Sequence, residues 1–427
     1  MVTEPDWVAS SIWWHVYPLG ALGADTTGRD RRPGRSLLAL VDWLDHVIRL
    51  GANGLALGPI FQSTSHGYDT IDHFVVDDRI GTADDLTHLI EQCHRRGIRV
   101  MFDGVFNHVG AGHPLVAEPH SAVESGWARR DPRTGGLRTF EGHSHLVELD
   151  HRNPAVADMV GEIICHWLGR GIDGWRLDAA YAVPQEFWRH VIPAVKDRFP
   201  QAYLVGEVIH GDYADDISAT GMDSVTQYEL WKAVWSSITD ANMHELAWAL
   251  QRHNTMLDTF VPWTFVGNHD VTRIATTLAD HHPQLATVLL ATLPGTPAVY
   301  YGDELGWTGV KEEREGGDDA IRPELPPSAP TDADLPSEYR LHQRLIGIRR
   351  RYPRIHATRV VVEDVRQGLL RYRLPLDDGP DLVVALNAND HPAGTQIGAA
   401  TRIDSDAAHQ EGDMLQLEPG GWWIGET

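Results

Sequence analysis

One pattern constrains the fold of this 427-residue chain more than any other. Strand-like and helix-like stretches alternate along it eight times. Apolar runs at 12–17, 53–61, 97–106, 172–178, 202–208, 223–228, 259–267 and 296–304 read as buried strands. Stretches at 36–50, 82–96, 154–169, 184–198, around 241–257, 282–293 and 337–351 repeat apolar residues at helical spacing. Their ends carry cap chemistry: Ser36 opens the first, Gly51 closes it, and TADD opens the second. Eight strand–helix units predict a closed parallel barrel with outer helices, the α/β (β/α)8 TIM barrel; an open doubly wound sheet is the alternative. Two segments break the beat. Residues 109–146, rich in Gly, His and Pro, read as a short insert after the third strand. Residues 312–336 are polar and Pro-rich, and read as a long loop and candidate lid. Beyond 353 come short strands (ATRVVVEDV, GLLRYRLPL, DLVVALNA, GGWWIGET), which predict an antiparallel β-sandwich. The expected organisation is a barrel over 1–108 and 147–352, an inserted domain over 109–146 and a C-terminal domain over 353–427.

A barrel gathers its reactive groups at the C-terminal ends of its strands. Four such ends hold polar residues in apolar surroundings. The third ends FDGVFNH (Asp103, Asn107, His108), the fourth GWRLDAA (Arg176, Asp178), the fifth VGEV (Glu207) and the seventh FVGNHD (His269, Asp270). Several carboxylates in one pocket cannot all keep ordinary pKa values, because desolvation and like charge raise at least one. One protonated acid beside one ionised carboxylate is what glycoside hydrolysis needs. Arg176 stands two residues before Asp178, hence on the same side of the strand, where it can orient that carboxylate. Any one of these residues alone would more often be a turn or cap residue; their joint arrangement favours chemistry. Asp103 reads as a brace for Arg176. His143, His145 and His151 have no helix-borne ligand spacing and read as a solvated loop.

FDGVFNH, GWRLDAA, GEV and FVGNHD, in that order, resemble the four signature regions of the α-amylase family (glycoside hydrolase family 13). SHGYDT (65–70) resembles its HGY segment, and LVELDHRNPAV (146–156) the motif that closes its inserted domain. The resemblance implies that Asp178 is the nucleophile, Glu207 the general acid/base and Asp270 the carboxylate gripping the sugar hydroxyls at C2 and C3. It implies hydroxyl contacts from His66, His108 and His269, a hold on the nucleophile by Arg176, and a stacking platform at Tyr68. Retention by double displacement follows, and with it a spacing of roughly 5–5.5 Å between the Asp178 and Glu207 carboxyls. In this family the Asn107 position often serves a calcium site, but the insert's few carboxylates (Glu118, Glu124, Asp131, Glu141) yield no ligand set, so no metal and no other cofactor is expected. The 38-residue insert, DGVFNH and DSVTQYELWKAV are similar to the cyclomaltodextrinase, neopullulanase and maltogenic amylase group, without that group's N-terminal β-domain. GWRLDAAYAV departs from the Lys–His pair of starch amylases, and Ala179 stands where related 1,6-glucosidases carry Val. The first departure points to maltooligosaccharides or small cyclic dextrins in place of starch, the second to α-1,4 bonds.

Composition supports this reading by exclusion. With 36 basic and 60 acidic residues the net charge is −24, which argues against a nucleic-acid partner and suits a neutral glucan. No apolar run is long enough to span a membrane, and MVTEPDWVAS shows no secretory pattern, so a cytoplasmic protein, monomer or homodimer, is expected. Cys93 and Cys165 read as free buried thiols. Of the 15 Trp, Trp13, Trp14 and Trp175 read as core, Trp127 and Trp307 as candidates for sugar contact. Three functions stand: a hydrolase, a transglycosylase or isomerase of the same family, and an inactive binding subunit. The presence of all three carboxylates weighs against the last.

Overall fold

The computed structural model describes residues 4–314, 316–377 and 379–427. Eight strands form the central sheet: β1 (Trp13–Val16), β2 (Gly54–Leu57), β3 (Arg99–Val105), β4 (Gly174–Asp178), β5 (Tyr203–Gly206), β6 (Ser224–Val225), β7 (Trp263–Phe265) and β8 (Thr296–Tyr300). All neighbours are parallel, β8 lies between β1 and β7, and a parallel bridge from Thr226 to Trp263 joins β6 to β7. The sheet is thereby closed into the barrel, and the doubly wound alternative is excluded.

Period-two alternation sorts each strand into two environments. Trp14, Leu55, Val100, Phe102, Trp175, Leu177 and Leu204 face outward into the core shared with the helices. Trp13, Ala56, Met101, Tyr203, Val205, Trp263, Phe265 and Ala298 face inward and fill the barrel. Gly54 sits opposite Trp13 in the register, and a Cβ there would lie 2.5 Å from the indole. The inward series turns polar toward the C-terminal ends: Met101 is followed by Asp103, Gly174 by Arg176 and Asp178, and Val205 by Glu207. An apolar plug thus supports a charged mouth.

The helical caps hold as read. The Ser36 side chain accepts from Leu38 N at 3.2 Å, Gly51 adopts φ 95°, and Thr82 with Asp85 forms a capping box. The first helix begins as a 3-10 segment (Leu37–Trp43) before turning α over Leu44–Leu50. The largest departure follows β6. The apolar run 223–228 yields only a two-residue strand, and Tyr228–Thr239 is a helix that the sequence reading did not predict, paired with Met243–Met256. Gln227 caps it by accepting from Leu230 N at 3.4 Å.

The segment 312–336 is not a free lid. Ile321 and Leu325 are buried, the Ile321 carbonyl accepts from Arg273 at 2.9 Å and from Tyr300 at 3.0 Å, and Leu325 N donates to Ala21 O at 2.9 Å. Its charge and proline content hid these anchors. The C-terminal strands Val361–Arg366, Leu369–Leu374, Leu382–Asn387, Ala393–Gln396, Thr401–Glu411 and Met414–Glu426 form one antiparallel sheet. One face (Leu370, Tyr372, Val384, Trp422) packs on barrel helices; the other (Leu369, Val383, Ala385, Trp423) forms a core of its own. Cys93 and Cys165 are free and buried. Among the described residues no helix is long and apolar enough to cross a membrane.

Candidate active site

Register brings the site together. Asp103 on β3 pairs with Arg176 on β4, and Val105 with Asp178, so the inward side chains of both strands converge. The buried Arg176 guanidinium gives Nη1 to both Asp103 oxygens, at 2.8 and 2.6 Å. The same nitrogen lies 3.4 Å from Asp178 Oδ1, and Nη2 donates to Glu207 Oε1. The sequence reading placed Arg176 chiefly on Asp178; its shortest contacts are instead to Asp103, the expected brace, and to Glu207. One cation therefore binds three carboxyls, and Asp178 and Glu207 are close enough to share it.

A sharp turn sets the second carboxyl. Ala179 takes φ 46° and ψ 35°, a left-handed conformation uncommon for a residue with a side chain, and this aims its N–H at Glu207 Oε2 at 2.9 Å. The Tyr228 hydroxyl donates to Glu207 Oε1 at 3.2 Å and accepts from Asn268 Nδ2 at 3.0 Å. Asn268 Oδ1 in turn accepts from Asp270 N at 2.8 Å. Glu207 thus receives three donors and Asp178 one long contact. Burial first, and then the neighbouring Glu207 charge, pushes the Asp178 carboxyl well above the ordinary Asp range.

Asp270 behaves oppositely. Its side chain is 34% exposed; Oδ2 meets His269 Nε2 at 2.9 Å and Oδ1 accepts from Arg322 Nη2 at 3.0 Å. Burial works to raise its pKa, but His269 and the guanidinium of Arg322 prevail and hold it well below the usual carboxylate range. Arg322 also donates Nε to His269 O at 2.9 Å, pairs with Asp318 at 2.9 Å and lies 4.5 Å over the Tyr17 ring.

The remaining predicted residues line the same mouth. The Tyr68 hydroxyl donates to Asp103 Oδ2 at 3.1 Å and touches His269 Nε2, the two rings being within 8° of parallel. His66 accepts from Tyr17 OH through its carbonyl at 2.7 Å, and its Nε2 lies 3.4 Å from His145 Nε2. His108 stacks on Phe140 of the insert at 4.7 Å; burial lowers its pKa to about 3, so the ring is neutral. His108 Nε2 and His269 Nδ1 are buried and have no hydrogen-bond partner within the protein. Seven of the eight predicted site residues are thus joined by direct contacts, His66 entering through its Nδ1, which accepts from Tyr68 N at 3.3 Å, while His108 is held by its stack on Phe140.

Other predicted residues lie elsewhere. Trp307 packs over Gly302, where a Cβ would sit 2.2 Å from its ring, and against Arg273; Trp127 lies half-buried against the outer core. Among the described residues no group of three or more His, Cys, Asp or Glu forms a metal cluster, and Asn107 bonds its own neighbour, Nδ2 to His108 Nδ1 at 3.2 Å. Sequence reasoning missed Tyr17, Tyr228, Asn268 and Arg322. Asn268 lay in plain view inside FVGNHD and Tyr228 at the end of an assigned strand, whereas Arg322 had no local signal.

Comparison with known proteins agrees with this geometry. A family model described as "Alpha amylase, catalytic domain" matches residues 36–135 and 123–328. A cyclomaltodextrinase of Geobacillus thermopakistaniensis (strain MAS1) is 30% identical over an alignment of 347 residues that covers 71% of this chain and 57% of that protein. A maltogenic α-amylase of Bacillus acidopullulyticus is 31% identical over 343 residues, covering 72% of this chain and 58% of the relative. The chain thus spans less than three fifths of these curated relatives. The solved debranching enzyme of Nostoc punctiforme superposes with a TM-score of 0.83 at 25% identity, over 100% of both chains. With the barrel, the ordered strand-end carboxylates and the matched catalytic-domain model in agreement, the chain belongs to the α-amylase family.

Proposed function

We propose that the protein is a retaining glycoside hydrolase that cleaves α-1,4-glucosidic bonds of maltooligosaccharides or small cyclic dextrins. The observation that carries this reading is the buried Arg176 joined to Asp103, Asp178 and Glu207 at the barrel mouth. The names of the cyclomaltodextrinase and maltogenic α-amylase relatives support the substrate class. Asp178 attacks the anomeric carbon while Glu207 protonates the departing oxygen. Water activated by Glu207 then releases the β-glycosyl enzyme, so the anomeric configuration is retained. Asp270, held ionised by His269 and Arg322, binds ring hydroxyls and stabilises the oxocarbenium-like transition state. His108 and His269, whose Nε2 lies 2.9 Å from Asp270 Oδ2, bind hydroxyls of the same ring.

Burial and the neighbouring Glu207 charge push the Asp178 carboxyl up, and the Arg176 guanidinium, 3.4 Å from its Oδ1, works toward the ionised form that attacks the anomeric carbon. A second reading, cleavage of α-1,6 bonds, draws on the end-to-end likeness to the Nostoc debranching enzyme. Product analysis on maltotriose, panose, cyclodextrin and trehalose decides between them, with the first-formed anomer followed by NMR. Maltotriose cleaved with retention is expected; an inverted product, or no turnover of any α-glucan, refutes the proposal.

A further inference from the structure

The inserted segment reaches the site at a point the catalytic scheme does not use. Glu141 lies in its 3-10 turn (Phe140–Gly142) and adopts φ 48° and ψ 26°, a left-handed conformation unfavourable for a residue with a side chain. In that conformation its Oε1 accepts from the Tyr181 hydroxyl at 3.0 Å. Tyr181 is three residues beyond Asp178, and its backbone N–H donates to Glu207 O at 3.1 Å. Its ring lies 6.1 Å from that of His210, three residues beyond Glu207. The next residue back, Phe140, is fixed by its stack on His108. The hydrogen bond therefore ties the tip of the insert to the loop that follows the nucleophile, beside the general acid.

Which side of the bond to be cleaved this wall serves follows from chemistry. A general acid stands at the leaving oxygen. Groups packed against Glu207 and away from Asp270 meet the leaving sugar, whereas Asp270, Arg322 and Tyr68 meet the sugar that is transferred. We propose that Tyr181 and Glu141 form a latch that narrows the leaving-group side of the site and sets which acceptors and leaving groups fit there. The inference rests on the glycosidase reading and adds to it the contact between Glu141 and Tyr181. Burial first, and then the Glu141 charge, pushes the Tyr181 phenol above its ordinary pKa, so it stays a donor through the working range.

The test isolates that side. With 4-nitrophenyl α-maltoside as donor, the released nitrophenol reports formation of the glycosyl enzyme. Maltotriose added as acceptor must enter through the leaving-group side to intercept it. The measured quantity is the maltotriose concentration at which half of the intermediate is transferred instead of hydrolysed. Tyr181→Phe and Glu141→Ala are each expected to lower it at least threefold, Glu141→Gln, which keeps an acceptor oxygen, to stay nearer the parent, and the double variant to add little to either single one. No change in transfer in both single variants, or weaker transfer, overturns the latch. No nitrophenol release by the unmodified protein overturns the glycosidase reading instead, so the two failures are distinguishable.

Discussion

Arg322→Met tests whether the long loop after β8 serves catalysis. The side chain gives Nη2 to Asp270 at 3.0 Å and to Asp318 at 2.9 Å, and Nε to His269 O at 2.9 Å. Methionine keeps much of the bulk beside Tyr17 and removes every donor. A hydrogen bond to a charged partner is worth about 1.5–3 kcal/mol. Asp270 is 34% exposed, so water screens part of the loss, and about 2 kcal/mol is the reasonable figure. If Asp270 grips the transition state, that amounts to a roughly 30-fold fall in kcat/KM. A second effect appears in pH. Arg322 and His269 hold the Asp270 pKa down, so the parent carboxylate stays ionised well into acid. A depressed carboxylate contributes above its unfolded pKa of about 3.9, and the contribution is lost as pH falls through the folded value. Removing Arg322 raises the folded value, so the stability contributed by ionised Asp270 is lost at a higher pH in the variant than in the parent, which thermal melting across acid pH reads. The assay is initial-rate hydrolysis of maltotriose across pH 4–8, with circular dichroism and thermal melting as the check on folding. A folded Arg322→Met variant with kcat/KM within threefold of the parent and an unmoved acid loss of stability refutes the argument.

Three other outcomes are expected. Glu207→Gln should fold and lose about 10²- to 10⁴-fold in turnover of maltotriose, but much less in the first-turnover burst of 4-nitrophenol from 4-nitrophenyl α-maltoside, because that leaving group needs no proton; equal losses in both would remove Glu207 as the acid. Gly54→Ala should lower stability by about 1–3 kcal/mol in chemical denaturation, since its Cβ would lie 2.5 Å from the Trp13 ring in the filled barrel. Burial pushes the Cys93 thiol up to about 12, and Cys165 is raised as well, so a thiol reagent at neutral pH should find neither in the native protein and both after denaturation.

Much of the molecule was legible before any coordinates. Eight alternating apolar runs named the barrel strands, and the helices at 154–169 and 337–351 match their predicted bounds. The step from Met101 to Asp103, or from Val205 to Glu207, is a local change of inward-facing residue type, so strand periodicity alone brought the carboxylates to one mouth. One helix was overlooked although its pattern was legible: Tyr228–Thr239 buries Leu230, Ala233, Val234 and Ile238 at helical spacing, in the same core as Met243, Leu246 and Leu250.

What the sequence determined by itself was therefore the kind of site: barrel, carboxylates, histidines and the arginine beside them, each carried by a residue's neighbours along its own strand. What only the tertiary structure decided was who holds whom. Arg176 binds Asp103 and Glu207 more closely than Asp178 because β3, β4 and β5 are in register across the sheet. Arg322 reaches Asp270 across 52 residues, and Glu141 reaches Tyr181 across 40, through loops with no periodic signal. Hydrogen bonds and charges act through space and carry no trace of chain separation, so contacts of this kind enter only when the chain is folded.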